Sequence, residues 1–390
     1  MAASSPLSEA NTAFCLALFK QLDEDKKSSN VFYSPLSISS ALAMVMLGAR
    51  ANTATQILHR SPVPALTLIC FDCPQCLKAQ DDVHVKFSKL IKELNKAGAP
   101  YSLSLANRLY GDQSYQFVEG FLADTKKHYD AKLKSVDFKA SAETARININ
   151  NWVEKQTQDK IKDLLAPGVV DSMTRLVLVN AIYFKGNWDR KFDADLTKDA
   201  QFKLNKVTMQ RSLGSFNFWI KTHCVGQILE LPYKGKDLSM LIFLPYEMED
   251  DTTGLEKLEK ELTYEKFVEW TQPHKMYTVE VDVGLPRFKM EESYDLKDIL
   301  TRMGMVDAFD VRMSDFSGMS PANDLVLSQV VHKAFVEVNE EGTKAAAATT
   351  SDIMLCCGIP TFIADHPFLF FIRHKPSMSV LFAGRFCSPA

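Results

Sequence analysis

Six short runs of aliphatic, aromatic and β-branched residues between positions 176 and 373 constrain the fold of this chain more than any other feature. Several are apolar almost without interruption, such as LVLVNAIYF at 176–184 and FLFFIR at 368–373. A strand with one solvated face alternates polar and apolar residues, so a continuous run predicts a strand that is buried on both faces. The pattern predicts large covered sheets, with strands at 176–184, 225–231, 238–244, 277–283, 334–338 and 368–373.

Helical periodicity dominates the first third of the chain and returns near residue 254. It predicts an N-terminal helix capped by Ser8 and further helices at 82–95, 117–129, 254–270 and 294–303. The length of 390 residues allows two or three domains or one large one. No linker rich in Pro, Gly or Ser and no internal repeat divides the chain. We therefore interpret 1–390 as a single α+β domain.

Composition and charge exclude several classes of protein. Apolar residues make up 46% of the chain and the net charge is −3, which argues against disorder and gives no general attraction to nucleic acid or an anionic membrane. No apolar run reaches the length of a membrane span. The N-terminus does not resemble a signal peptide, and there is no Asn-x-Ser/Thr sequon. We expect a cytoplasmic protein, although release from the cell without a signal peptide leaves no mark in a sequence.

Enzyme signatures are missing from the sequence. There is no GxGxxG, GxxxxGK[ST], HExxH or GxSxG motif. His332 and His366 allow a Cys–His pair with Cys356 or Cys357, but core or turn histidines are the simpler interpretation. Cys70, Cys73 and Cys76 form C-x-x-C-x-x-C without a fourth ligand, which favours a reduced loop over a metal site. We expect no enzymatic activity, no metal and no cofactor.

The most unusual segment lies between the strand runs at 334–338 and 368–373. Glu340, Glu341 and Gly342 lead into eight residues, 343–350, of which all but Lys344 are small, and then into Ile353, Met354, Leu355 and two cysteines. Alanine-rich segments are not typical of turns, where Gly, Pro, Asn and Asp dominate. Three interpretations stay open: a low-complexity loop, a helical turn, or a segment that fits between crowded strands.

This segment resembles the reactive-centre loop of the serpin family, and the resemblance extends over nearly the whole chain. The segments that carry it follow in the family's order at 30–57, 105–112, 147–161, 176–188, 285–296 and 315–320, and the chain closes with ADHPFLFFIRH and LFAGRF. The short N-terminus and the ending Cys387-Ser388-Pro389 are similar to the intracellular clade B, or ovalbumin-type, group. Segment 60–77 does not resemble the family and is either a lineage-specific loop or a misjoined coding segment.

The resemblance implies three β-sheets, eight or nine helices and an exposed reactive-centre loop at about 340–364. In the family a serine protease attacks this loop and forms an acyl-enzyme. The loop then inserts into the largest sheet and the trapped protease is distorted. The chain is therefore expected to be a metastable, monomeric suicide inhibitor; the alternative is a non-inhibitory serpin that acts as a binding or chaperone-like protein.

The resemblance places the hinge of the loop at Glu340, Glu341, Gly342, Thr343, Ala345, Ala346, Ala347, Ala348 and Thr349. Because an inserted strand alternates between faces, Thr343, Ala345, Ala347 and Thr349 would point into the sheet. These four side chains are small or hydroxylated, as insertion requires. Lys344 departs from the family's usual acidic residue, but on the outward face.

The bait residue is expected fourteen positions after Gly342, at Cys356, with the Cys356–Cys357 bond cleaved. The span from Cys357 to Ala364 is short, so the assignment holds to within one residue. With Ile353, Met354 and Leu355 before the bond and no cation, the expected partners are elastase-like, chymotrypsin-like and cathepsin G-like proteases rather than trypsin-like ones.

Further positions match two features of the family. One is the polar cluster beneath the central sheet, which governs the opening of that sheet, and the other is the tryptophan at the point where the loop enters it. The cluster comprises Ser34, Ser37, Asn180 and His332, and the tryptophan is Trp188. Asp159 stands where the family usually has glycine, and the segment after Lys206 is short.

Overall fold

A computed structural model describes residues 5–25, 29–59, 80–203, 205–221, 226–246, 254–322, 324–340 and 359–389. The helices within these ranges are α1 Pro6–Asp25, α2 Pro35–Gly48, α3 Ala51–His59, α4 Gln80–Leu94, α5 Glu119–Tyr129, α6 Phe138–Gln156, α7 Leu255–Glu261, α8 Tyr264–Trp270 and α9 Lys297–Arg302. The strands are β1 Val31–Tyr33, β2 Tyr101–Asp112, β3 Lys134–Val136, β4 Leu176–Gly186, β5 Asp193–Phe202, β6 Asn205–Lys221, β7 Gly226–Pro232, β8 Leu238–Pro245, β9 Tyr277–Pro286, β10 Phe288–Asp295, β11 Leu327–Val338, β12 Thr361–Ile363, β13 Phe368–His374 and β14 Ser379–Phe386.

The five-stranded sheet has the order β10-β11-β4-β2-β3. Its centre, β4, is buried on both faces, as its apolar run predicts. Val177, Val179 and Ala181 pack into a cluster with α6, while alternate residues of the same strand join the main core on the opposite face. The strand pairs β11–β4 and β2–β3 are parallel, and the other pairs are antiparallel.

The nine-stranded sheet runs β1-β14-β13-β8-β7-β6-β9-β12, with β5 also paired to β6. Strands β8, β13 and β14 are buried along their whole length, which confirms the predicted double-sided burial. The 17-residue strand β6 pairs with β9 through residues 209–218 and with β7 through 217–221. Because this long strand pairs with both neighbours, the described strands form two hydrogen-bonded sheets where the resemblance implies three. The α+β class is confirmed.

Helix α2 passes through the core, where it packs against β4 and β14. Its sequence is apolar apart from serines, and all but one of its residues are buried. Pro35 occupies the first turn, and the Ser34 hydroxyl accepts a hydrogen bond from the Ser37 N–H at 3.2 Å, which caps the helix. This cap places both serines directly beneath the five-stranded sheet. No helix in the described ranges is both long and apolar enough to span a membrane.

Three helix predictions need correction. Helix α1 begins at Pro6, before Ser8; the Ser5 hydroxyl accepts from the Ser8 N–H at 3.2 Å, and the Ser8 hydroxyl bonds that of Ser379 instead. The stretch predicted as one helix at 254–270 is two, because Thr263 caps a new helix by accepting from the Lys266 N–H. The helix predicted at 294–303 begins only after β10 ends at Asp295.

Asp159, which replaces the family's usual glycine, has φ +61°. This left-handed conformation crowds a Cβ against the following carbonyl, a cost that glycine avoids. We expect Asp159→Gly to raise the free energy of unfolding by about 0.5–1 kcal/mol, measured by urea titration. Asp159→Ala keeps the Cβ and is the matched control; if it stabilises equally, the backbone explanation is wrong.

Candidate functional site

The candidate site is the boundary between the parallel strands β4 and β11, together with the chain that leaves β11. The two strands pair in register from Leu176 opposite Leu327 to Phe184 opposite Val336, with one irregularity near Gln329. Beyond Val338 the chain passes through Asn339 to Glu340, the first residue of the predicted hinge. The resemblance implies that the hinge would enter the sheet at this boundary.

A row of polar and aromatic side chains crosses the sheet at this boundary. Tyr294 lies opposite His332, His332 opposite Asn180, and Asn180 opposite Asn107, so that β10, β11, β4 and β2 each contribute one residue. His332 and Asn180 are no more than 1% exposed. A buried polar row of this kind is stable only if its groups find hydrogen-bond partners.

The row meets the start of α2, which supplies those partners. The Ser34 N–H donates to His332 Nε2 at 3.1 Å, and His332 Nδ1 bonds Asn180 Oδ1. The Asn180 amide donates to the Ser37 hydroxyl at 2.6 Å and to the Ser37 carbonyl at 3.0 Å. The structure thus brings all four predicted cluster residues, Ser34, Ser37, Asn180 and His332, into one network.

The network defines the protonation state of His332. A backbone N–H can only donate, so Nε2 accepts, and Nδ1–H must then donate to the Asn180 carbonyl oxygen. This is the neutral imidazole with both nitrogens satisfied. Complete burial lowers the pKa of His332 to about 3 because the cation would lose its hydration. The ring stacks on Tyr294 at 6.4 Å between centroids.

Asn107 and Tyr294 also belong to the network, although nothing in the sequence alone points to them. The Asn107 amide donates to the Ser40 hydroxyl at 3.1 Å, and the Tyr294 hydroxyl accepts from the Phe32 N–H at 3.2 Å. Both residues lie in segments that carry the family resemblance, 105–112 and 285–296. Their place in the row depends on strand register, which has no local signal in a sequence.

Trp188 lies at the end of the boundary where the chain leaves β11. Its indole N–H donates to the Asn339 carbonyl at 2.9 Å, and its ring stacks on Tyr233 at 4.5 Å and 11°. Glu340, the first predicted hinge residue, forms an ion pair of 3.3 Å with Arg287. Trp188 is therefore in contact with the chain just before the hinge.

The remaining predicted loop residues lie outside the described residues. They are Glu341, Gly342, Thr343, Ala345, Ala346, Ala347, Ala348 and Thr349 of the hinge, and Ile353, Met354, Leu355, Cys356 and Cys357 around the bait bond. The atypical segment 60–77, with its three cysteines, lies outside them too. The next described strand, β12, pairs in parallel with β9. His366 bonds Asp365 and the Pro245 carbonyl.

Comparison with known proteins assigns the whole arrangement to one family. The profile of the family described as "Serpin (serine protease inhibitor)" matches residues 9–389. The chain belongs to the serpin family. This serpin is similar to leukocyte elastase inhibitor from Equus caballus, at 52% identity over 98% of this chain and 99% of that protein. It is 50% identical to leukocyte elastase inhibitor from Homo sapiens, with the same coverage.

Solved structures agree with this assignment. Uncleaved ovalbumin superimposes with a TM-score of 0.86 and 36% identity, covering 98% of this chain and 100% of ovalbumin. The resemblance of this serpin to the ovalbumin-type group is thus confirmed at the level of the fold.

Proposed function

We propose that this serpin is a suicide inhibitor of serine proteases. The protease serine attacks the carbonyl carbon of Cys356, the Cys356–Cys357 peptide bond breaks, and an ester links the serpin to the protease. The proton of the serine passes through the protease's base to the amine of Cys357, which leaves. The freed loop then inserts between β4 and β11 before water hydrolyses the ester.

The observation that carries this proposal is that β4 and β11 are parallel neighbours while the segment in question follows β11. A chain that turns back after Val338 runs antiparallel to β11, and therefore antiparallel to β4 as well. Insertion would replace one parallel pairing by two antiparallel ones, which are slightly more stable per residue. A net gain of about ten backbone hydrogen bonds, at about 1 kcal/mol each, gives about 10 kcal/mol. The uncleaved protein would accordingly be metastable.

The residues before the bait bond support the choice of protease. Ile353, Met354 and Leu355 are apolar, and cysteine behaves as a small hydrophobe. The relatives' name, leukocyte elastase inhibitor, points to the same class. We propose elastase-like, chymotrypsin-like and cathepsin G-like proteases as targets, each trapped by one serpin molecule.

Incubation with neutrophil elastase or chymotrypsin tests the proposal. We expect a one-to-one complex that survives SDS, together with a released C-terminal peptide whose mass shows that it begins at Cys357. Trypsin is the control protease and should give no complex through this bond. Cleavage by elastase and chymotrypsin without any SDS-stable complex would refute inhibition.

The thermal stability of the cleaved protein separates an inhibitor from a non-inhibitory binding or chaperone-like serpin. If the nicked loop inserts, the gain of about 10 kcal/mol should raise the Tm of this 390-residue chain by about 10 °C or more. Cleavage at the loop by a protease that is not trapped provides the sample, and calorimetry gives the Tm. An unchanged Tm would favour the non-inhibitory alternative.

A further inference from the structure

A pocket of about 410 Å³ lies between the first turns of α6 and the β2–β3 edge of the five-stranded sheet. Strand β2 contributes Arg108 and Tyr110, β3 contributes Lys134 and Val136, and α6 contributes Trp152 among others. The pocket is separate from the polar network at the β4–β11 boundary, and the proposed inhibitory mechanism makes no use of it.

Local sequence explains why the space is open. Alternation along β2 directs Ala106, Arg108 and Tyr110 to the α6 side of the sheet. Further along α6, Ile149 and Val153 fill this layer, but the residues of the first turns that line the pocket, Ser141, Thr144 and Ala145, are small. Ser141 also departs from helical geometry, with φ −141° and ψ 43°. The helix therefore leaves a wedge over the sheet edge at its N-terminal end.

Two buried polar atoms beside the pocket make no hydrogen bond of good geometry to the described residues, although the Arg108 side chain lies near the Tyr110 hydroxyl. They are Arg108 Nε and the hydroxyl oxygen of Tyr110, a residue that is only 3% exposed. An unsatisfied buried donor is costly, so such atoms mark a place where a ligand or water completes the structure. Burial raises the pKa of Tyr110 to about 12, which keeps its hydroxyl a donor at neutral pH.

The lining of the pocket carries two cations and one carboxylate, so its net charge is positive. The Arg108 guanidinium lies 3.9 Å from the centre of a Trp152 ring, and the described residues include no carboxylate that forms an ion pair with it. Lys134 adds a second cation. Asp137, the acidic residue at the rim, already accepts from the Ala140 N–H at 2.8 Å as the cap of α6.

We propose that this pocket binds a small amphipathic anion, an aromatic carboxylate or sulfonate. Its anionic group would accept from Arg108, Tyr110 and Lys134, and its apolar body would lie against Trp152 and Val136. The volume falls within the range of small-molecule sites. An inorganic anion would leave the apolar wall without contacts, so the aromatic body is part of the recognition.

Calorimetric titration with 2-naphthoate tests the proposal on the full chain, without any protease. We expect a single site with a Kd of about 0.1 mM, the strength usual for a ligand of this size. The neutral isostere 2-naphthamide should bind at least tenfold more weakly, and inorganic phosphate should bind more weakly still. Equal affinity for naphthoate and naphthamide would overturn the proposal, and so would no binding at 10 mM naphthoate, which would mean that water alone fills the pocket.

Two variants connect the binding to this pocket. Arg108→Met keeps the apolar stem and removes the charge, and should weaken naphthoate binding at least tenfold. Lys139→Gln is the matched control, because Lys139 carries the same charge on the first turn of α6 but bonds the Ser114 hydroxyl at 2.9 Å outside the pocket. An equal loss of affinity in both variants would overturn the proposal.

A third variant tests the pocket with its charge intact. Asn148 is an exposed residue of the pocket wall, so Asn148→Trp narrows the entrance without altering the core or Arg108. We expect it to abolish naphthoate binding with the Tm of the unliganded protein unchanged. Retained binding in Asn148→Trp would place the naphthoate site elsewhere. If Arg108→Met does not fold, Asn148→Trp still shows whether naphthoate binds in this pocket.

Discussion

Thr343→Arg is expected to convert this serpin from an inhibitor into a substrate. Position 343 is the first hinge residue expected to point into the sheet, and the core face near the end of β11 is apolar: β4 contributes Ile182 and Phe184 to it, both buried. Burying an unpaired guanidinium there costs several kcal/mol, enough to stall insertion at its first step. Elastase should cleave the loop at an unchanged rate and be released, so the yield of SDS-stable complex should fall at least tenfold.

Lys344→Arg is the matched control for this experiment. It places the same guanidinium one residue further along, at a position expected on the outward face, where the wild-type chain already has the Lys344 cation. We expect the complex to form as in the wild-type protein. If both variants lose the complex equally, the alternation of inward and outward hinge residues is wrong. If Thr343→Arg forms the complex normally, insertion does not pass through this residue.

Acidification from pH 7.5 to pH 5 is expected to reduce the free energy of unfolding by about 2 kcal/mol through His332 alone. The pKa of His332 is lowered to about 3 in the folded protein, against about 6.5 when unfolded. Between these values the unfolded chain binds a proton that the folded chain does not. The stabilising contribution of the neutral His332 to the free energy of unfolding is therefore present above about pH 6.5. It falls by about 1.4 kcal/mol for each pH unit below this value, until about pH 3.

The physical reason is the hydrogen-bond pattern of the ring. Protonation would place a hydrogen on Nε2, directly opposite the Ser34 N–H that now donates to it at 3.1 Å. Urea titrations of the wild-type protein and of His332→Gln between pH 7.5 and 5 isolate the effect, since all other titrating groups are shared. The variant should be less stable at pH 7.5 but should lose about 2 kcal/mol less on acidification. If the free energies of unfolding of the two proteins fall in parallel with pH, His332 is not held neutral in the folded protein.

Local patterns in the sequence predicted part of the secondary structure, including the most buried strands. The apolar runs at 176–184, 238–244 and 368–373 are strands β4, β8 and β13, because residues buried on both faces of a sheet need no polar alternation. Two of the errors occur where a single side chain determines where a helix begins. Thr263 ends the periodicity of 254–270 by capping α8, and Ser8 gives up its predicted capping role for a bond to Ser379, 371 residues away.

The candidate site was predictable only in part. The resemblance to a family identified Ser34, Ser37, Asn180, His332 and Trp188 one by one, but their spacing in the chain contains no sign that they meet. Asn180 and His332 are 152 residues apart and become neighbours only because β4 and β11 pair in one register. Asn107, Tyr294 and the pocket beside Arg108 depend on the same kind of long-range placement.

The sequence by itself determined that this chain forms large covered sheets with helices in one α+β fold, that a segment of small residues follows β11, and that the chain resembles the serpins. These properties depend on residue type and periodicity, which are local. Only the tertiary structure decided that β4 and β11 are parallel neighbours, that His332 is held neutral beneath them, and that a wedge opens under α6. Strand order, register and desolvation arise when distant segments pack together, so no stretch of the sequence contains them alone.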